Sequence, residues 1–287
     1  MTPKVTQVKD FDPSLQWIDP IGGLGDCLFL SSVLHDLWET TGRTFGLCRK
    51  APYGSFFSGH PAIIRIGSPP PYHPAMKVDY WSYETIGPGN LRPYQILSRM
   101  FDLPTPREER LWVSVSENDF ETVAHYPLQD GFIVLAPTSV SPRKTWDQER
   151  WARLADELGR KTRRQLVQVG EQNDFQIPGT VSLCGLTSPK QLFAVMAKAS
   201  LAIVVDAFPL HAAAWAKIPT VALWGASRHD TFGYAFQVNI QAPSPCLETC
   251  FGPRKYETYL SRCDHKDGYC LDNVQVDEVL EKAIPFI

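Results

Sequence analysis

From Gly131 to Ser227 the chain alternates continuous apolar runs with amphipathic stretches, and few folds accept that grammar. "GFIVLAPT" is an unbroken apolar run of the kind a parallel sheet buries on both faces. "TWDQERWARLADELGRK" follows as a helix with Trp151, Leu154, Ala155 and Leu158 on one side. "RQLVQVG", "TVSLCG" and "LAIVVD" read as further strands, "SPKQLFAVMAKA" and "LHAAAWAKI" as helices, and "TVALWGAS" closes the run as a strand. This alternation predicts an α/β domain with a doubly wound parallel sheet. The first 125 residues carry a looser version. Strands are expected over 15–20, 43–50 and 61–67, near Val78–Trp81 and in "RLWVSVS"; helices run to about Trp38, over 95–103 and to about Ala124.

A chain of 287 residues exceeds the size at which one core usually stops growing, so two domains are expected. The boundary falls between an N-terminal domain, 1–125, and a C-terminal one, 126–287, with a cleft between them. Prolines crowd into residues 66–107 and mark irregular connections there. The net charge is −3, which leaves no basic excess to neutralise a nucleic-acid backbone. No stretch approaches the roughly 18 unbroken apolar residues of a membrane span. The opening "MTPKVTQVKDFDPSLQ" is polar and lacks the apolar core of a secretory signal, so a cytoplasmic location is expected.

Open α/β sheets bind ligands at the carboxyl ends of their strands. The first such end here is "GGLGDC", where Gly22, Gly23 and Gly25 precede Asp26 and an apolar-striped helix (Leu28, Leu30, Val33, Leu34, Leu37). Glycines permit positive φ and close approach. Either Asp26 is the N-cap of a tight βα turn, or the turn opens onto a site and Asp26 faces a substrate. The other strand ends carry Thr138, Ser139, Arg143 and Lys144; then Glu171, Gln172 and Asp174; then Asp206 and His211; and finally Gly225, Ala226 and Ser227. Small, hydroxylic and cationic groups along one edge suit a phosphorylated ligand, aided by the helix N-terminus after Asp206. Each also has a plain structural role open to it: Lys144 as a surface charge at a helix start, Asp206 as an N-cap, His211 as a core histidine. The chain lacks the P-loop and dinucleotide glycine patterns, a GxSxG elbow and an HExxH zinc motif.

"GGLGDCLFLSSVLHDLW", "IVLAPTSVSPRKTWDQERWARLADEL", "LVQVGEQND" and "SLCGLTSPKQLFAVMAKASLAIVVDAFPLHAAAWAKIPTVALWG" together resemble glycosyltransferase family 9, the lipopolysaccharide heptosyltransferases. The resemblance covers about two thirds of the chain, in order, and is strongest over 131–227. It implies a GT-B architecture, two Rossmann-like domains facing across a cleft, and an inverting transfer of heptose or a related sugar from a nucleotide-diphosphate donor. The implied acceptor is a carbohydrate, glycolipid or protein hydroxyl, in bacterial surface-glycan (lipopolysaccharide) synthesis. By the resemblance Asp26, beside Gly23 and Gly25, is the general base and Lys144 the catalytic phosphate-binding lysine. Thr138 and Ser139 are the hydroxyl pair, and backbone N–H groups around Leu210–His211 complete the cradle near Asp206 and Gly225. Leu186 marks the nucleobase, and Glu171 or Gln172 the ribose.

One departure concerns Asp206-Ala207-Phe208-Pro209-Leu210-His211, where the family usually has Asp-Ser/Thr-Gly before Pro-x-His. There Phe208 replaces a glycine, and a stack on a base or sugar is the role open to it. The short N-terminal half, with Tyr72, Tyr80, Trp81, Tyr83 and Tyr94, leaves a protein or modified nucleic-acid acceptor as an alternative. The altered motif leaves a non-catalytic nucleotide-sugar-binding protein as another.

Seven cysteines remain. Cys27, Cys48 and Cys184 stand in apolar surroundings and read as buried small residues. Cys246, Cys250, Cys263 and Cys270, spaced C-x3-C-x12-C-x6-C with His265 inside the last loop, read as a structural metal knuckle holding zinc or iron, or as two disulfides. The segment 246–270 also resembles the iron-bound cysteine finger of some bacterial autotransporter heptosyltransferases. No catalytic cofactor is expected, and self-association into a homo-oligomer stays open.

Overall fold

The computed structural model describes residues 15–48, 54–80, 91–105, 109–244, 263 and 270–287. Its first half contains β1 (Trp17–Pro20), α1 (Leu24–Thr41), β2 (Phe45–Cys48), β3 (Ile63–Gly67), β4 (Met76–Val78), α2 (Pro93–Met100) and α3 (Glu117–Ala124). The four strands pair in parallel in the order β3-β2-β1-β4. Leu28, Leu30, Val33, Leu34 and Leu37 of α1 are all buried, as the stripe predicts. α1 continues past Trp38 to Thr41 and stops at Gly42, which takes φ 68° and returns its N–H to the Trp38 carbonyl.

The second half contains β5 (Ile133–Ala136), α4 (Gln148–Lys161), β6 (Leu166–Gln168), β7 (Val181–Ser182), α5 (Pro189–Met196), β8 (Leu201–Val205), α6 (Phe208–Ala216), β9 (Thr220–Trp224), α7 (His229–Phe232), β10 (Val238–Gln241) and α8 (Val276–Ala283). Its six strands are parallel, ordered β10-β9-β8-β5-β6-β7. Successive side chains of a strand point to opposite faces, and here each face meets its own core. Val134, Ala136, Ala202, Val204, Ala222 and Trp224 pack toward α5, α6 and the first half. Ile133, Leu135, Ile203, Val205, Val221 and Leu223 pack toward α4 and α8. Burial on both faces is why these strands read as unbroken apolar runs.

Two sequence expectations give way. Residues 109–116 form no strand: the Trp112 N–H donates to Ser32 Oγ (2.8 Å), and Val113 is buried without a ladder partner. Its apolar alternation serves one-sided packing of an extended segment. β9 does not close the second sheet, because β10 pairs outside it. "VNIQ" buries only Ile240, as suits an edge strand, and so offers no apolar run to find. Trp81, the expected end of β4, lies outside the described residues, as does the polar stretch 1–14. Among the described residues, no helix is long and apolar enough to cross a membrane.

Candidate active site

The carboxyl end of β1 turns through Gly22 and Gly23 into α1. Gly22 takes φ 121°, and a Cβ there would lie 2.2 Å from Asp26 Oδ2, so no other residue fits without moving that carboxylate. Asp26 is not the N-cap. Gly23 holds that place and Asp26 is the third helical residue, its Oδ2 accepting the Gly23 N–H at 2.5 Å. Asp26 Oδ1 accepts the phenol O–H of Tyr80. Burial pushes the Asp26 carboxyl above its ordinary value. The Tyr80 and Gly23 hydrogen bonds and the charge of Lys144 pull it back, and Asp79 adds to the rise. Gly22→Ala is expected to destabilise the protein by roughly 1–3 kcal/mol through backbone strain and, if Asp26 is the base proposed below, to lower turnover by displacing it. Denaturation midpoints and rates on the same preparation check both.

Lys144 ends a short 3-10 turn, Pro142–Lys144, and is buried. It is not a surface charge at a helix start: α4 begins four residues later and is capped by Asp147, whose Oδ1 accepts from the N–H groups of Glu149 and Arg150. Lys144 Nζ lies 2.7 Å from Asp206 Oδ2, and that oxygen also accepts the Ser227 O–H. Asp206 is not an N-cap either, since Ala207 caps α6. Gly225 makes this packing possible: a Cβ there would stand 2.9 Å from the Arg143 carbonyl.

The remaining expected donor residues are placed unequally. Thr138 Oγ1 donates to Asp174 Oδ2 (2.5 Å), which also accepts the Glu171 N–H (2.7 Å), so the loops after β5 and β6 are tied together. The Glu171 side chain is exposed, and Ser139 Oγ accepts the Ser141 N–H at 3.4 Å. Leu186 is 58% exposed; its carbonyl accepts the Tyr126 O–H, and its N–H returns to Leu183. One residue is corrected. The Leu210 N–H is spent on Ala207 O inside the first turn of α6, and its side chain is core, so it offers no donor to a phosphate. Phe208 is half-buried and packs edge-on against Phe193 and Phe56 (centroids 5.6 and 6.2 Å) in an aromatic cluster joining the halves.

His211 links the halves at the glycine turn. Its ring meets Phe29 edge-on, its Nδ1 lies 2.9 Å from the Tyr234 hydroxyl, and a Cβ on Gly25 would come within 3.1 Å of it. Gly25 therefore serves close approach, while Gly22 alone of the three uses positive φ. Burial lowers the His211 pKa to about 4, so it is neutral near pH 7. Sequence reasoning missed what lies beyond it. The Arg92 guanidinium sits 5.7 Å from the Tyr234 ring centroid, donates to the Gly233 carbonyl, and pairs through Nε with Glu109 Oε1 at 2.8 Å. Burial pushes Glu109 up to about 7 against the opposing effect of Arg92. No local motif marks Arg92 or Glu109.

A carboxyl whose folded pKa is raised binds its proton more tightly in the folded state, so stability falls as pH rises through the window from about 4.5 to about 7. The fall attributable to Glu109 is at most about 3 kcal/mol. Glu109→Gln is expected to remove it. His211 and His60, both lowered to about 4, lose stability in the opposite direction but in both proteins alike. Urea midpoints at about pH 5 and about pH 8 check this, and parallel profiles would refute it.

Tyr94 is buried and donates to Asp36, Tyr72 is fully exposed, and Trp81 and Tyr83 lie outside the described residues. Cys27, Cys48 and Cys184 are buried as expected. Cys263 and Cys270 are part-exposed, with Cys270 Sγ 3.1 Å from Ser244 Oγ; Cys246, Cys250 and His265 lie outside the described residues. His35, Asp36 and Glu39 bring ligand-type atoms within 4.8 Å, but Arg110 lies against both carboxylates and His35 stacks on Trp112.

A sequence model of glycosyltransferase family 9 (heptosyltransferase) matches residues 91–248, more than half of the chain. The chain belongs to glycosyltransferase family 9. Lipopolysaccharide heptosyltransferase 3 of Escherichia coli K12 is 27% identical over 113 residues, 36% of this chain and 33% of that protein, so the match spans about a third of that relative's length. Among solved structures, a family 9 glycosyltransferase from Veillonella parvula superposes with TM-score 0.65 at 15% identity, covering 95% of this chain and 97% of that one. TibC, the iron-containing dodecameric glycosyltransferase of enterotoxigenic E. coli, gives 0.69 at 14% identity over 95% of this chain and 77% of that one. TibC has also been solved in complex with ADP-D-β-D-heptose. The α/β fold of two parallel sheets, of the GT-B type, is thus that of family 9.

Proposed function

We propose that the chain is an inverting glycosyltransferase that moves a heptose, or a closely related sugar, from an ADP-activated donor to an acceptor hydroxyl of a surface glycan. One observation carries the reading. A carboxylate of the first half, Asp26, stands where the second half presents the Lys144–Asp206 pair and His211, close enough for Lys144 to act on it electrostatically. A base and a cation at one junction are what direct displacement needs.

Asp26 takes the proton of the acceptor hydroxyl while that oxygen forms its bond to the anomeric carbon. The bond from that carbon to the diphosphate oxygen breaks, and the diphosphate leaves with the electron pair. Lys144 meets the charge that develops on it. The donor lies along the strand ends of the second half, residues 126–287, near Thr138, Ser139 and Gly225, with its nucleoside toward Glu171 and Leu186. Membership of family 9 supports the sugar class, and the TibC complex supports ADP. We assign the acceptor to carbohydrate or glycolipid and the location to the cytoplasm. By analogy with TibC we assign Cys246, Cys250, Cys263 and Cys270 a structural zinc or iron and the chain a homo-oligomeric state.

Thermal shift against ADP-, UDP-, GDP-, CMP- and dTDP-linked sugars tests the donor, since a ligand of the native state raises the midpoint by mass action. ADP-heptose is expected to raise it and to release ADP with truncated lipopolysaccharide core present. A response confined to another nucleotide would overturn the ADP assignment, and no response to any of them the transferase reading.

A further inference from the structure

Asp26 is held by more than its own turn. β4 pairs in parallel with β1, Pro20 opposite Val78, and the ladder continues as the Ile21 N–H donates to the Val78 carbonyl at 3.0 Å. That register delivers Tyr80, two residues beyond Val78, against the glycine turn. The Tyr80 ring is 3% exposed and belongs to the apolar core of the first half, which holds its phenol oxygen in place. It donates to Asp26 Oδ1, while the Gly23 N–H donates to Oδ2.

We propose that Tyr80 is a positioning residue for the transfer reaction: its buried phenol, with the Gly23 N–H, fixes the plane of the Asp26 carboxylate and aims it at the acceptor hydroxyl. The inference rests on Asp26 being the base. An ionised carboxylate accepts at about four lone-pair sites, two on each oxygen. One donor on each oxygen locks rotation about the terminal bond and leaves a site on each for the incoming hydroxyl. Both tethers favour the ionised form, which opposes the effect of burial and keeps the base unprotonated. Tyr80 acts on the reaction only through Asp26. The Gly23 N–H alone would hold one oxygen and let the other swing.

Tyr80→Phe tests this, because it keeps the buried ring and removes only the donor. The first readout needs no turnover: carboxyl-carbon NMR of aspartate-labelled protein, with the Asp26 signal identified by its loss in Asp26→Asn. The Asp26 midpoint is expected to move to higher pH in Tyr80→Phe. The second readout is ADP release from ADP-heptose with truncated lipopolysaccharide core. There kcat is expected to fall roughly 10-fold or more with donor KM unchanged, as for a misaimed rather than an unbound reactant. The acid limb of the rate profile should shift upward with the NMR midpoint. An unmoved midpoint overturns the inference, and so does a moved midpoint with unchanged turnover. If Asp26→Asn itself keeps full turnover, the base assignment fails instead, and the positioning role falls with it. Loss in Asp26→Asn beside wild-type behaviour in Tyr80→Phe overturns the positioning role alone.

Discussion

Asp26→Asn is expected to lower turnover by about 10²–10⁴-fold, the usual contribution of a positioned general base. The loss should come without unfolding. The Gly23 N–H can only donate, so the amide oxygen of asparagine takes that bond, and the amide NH2 then faces a Tyr80 hydroxyl that can rotate to accept. Burial disfavours the charged carboxylate, and a neutral amide relieves that cost, so denaturation midpoints near pH 7 should be unchanged or slightly raised. The pH dependence is the sharper test. A base works deprotonated, and the Asp26 pKa is raised, so the wild-type rate should fall as pH drops through that raised value. The residual rate of Asp26→Asn should lack this limb. Initial rates of ADP release from low pH to neutrality decide the matter, and an acid limb persisting in the variant would assign it to another group.

The sheets of this protein were legible in the sequence where burial is two-sided. β5, β8 and β9 are wholly buried, and each appears as an unbroken apolar run. β10 was not legible, because an edge strand that buries one residue of four carries almost no pattern. "RLWVSVS" erred the other way: Val113 is buried without a ladder partner while the neighbouring Trp112 N–H donates to Ser32 of α1, and alternation cannot tell one-sided packing from a ladder. The site divides similarly. Asp26, Lys144, Asp206 and His211 stand at strand ends, where chain order alone locates them. Tyr80, Arg92 and Glu109 join the site through register and the meeting of the two halves, and Tyr234 reaches it as the partner of His211. Such contacts depend on tertiary geometry that no local spacing encodes. Phe208 is the instructive case. A residue that breaks the family pattern invited a ligand-binding role, and its half-buried ring also joins an aromatic seam with Phe56 and Phe193 that no local spacing announces.

Lys144→Met is expected to cost about 3–5 kcal/mol of stability, because it leaves the Asp206 carboxylate buried with the Ser227 hydroxyl and without its counter-charge. Both side chains of the pair are less than a tenth exposed, so water does little to screen the loss. This complicates the obvious test of a phosphate-binding lysine, since a destabilised variant would lose donor binding whatever the lysine does. Lys144→Met combined with Asp206→Asn separates the two effects. Removing both charges should restore much of the stability, as replacing a buried ion pair with neutral groups often does. It should not restore donor binding. Urea midpoints report the first quantity, and the ADP-heptose-induced rise in melting temperature, referred to each variant's own midpoint, reports the second. A double variant that binds ADP-heptose as well as wild type would remove Lys144 from the diphosphate site. A stable double variant that no longer binds it would assign the lost affinity to this charge pair, of which Lys144 is the member whose sign suits a diphosphate.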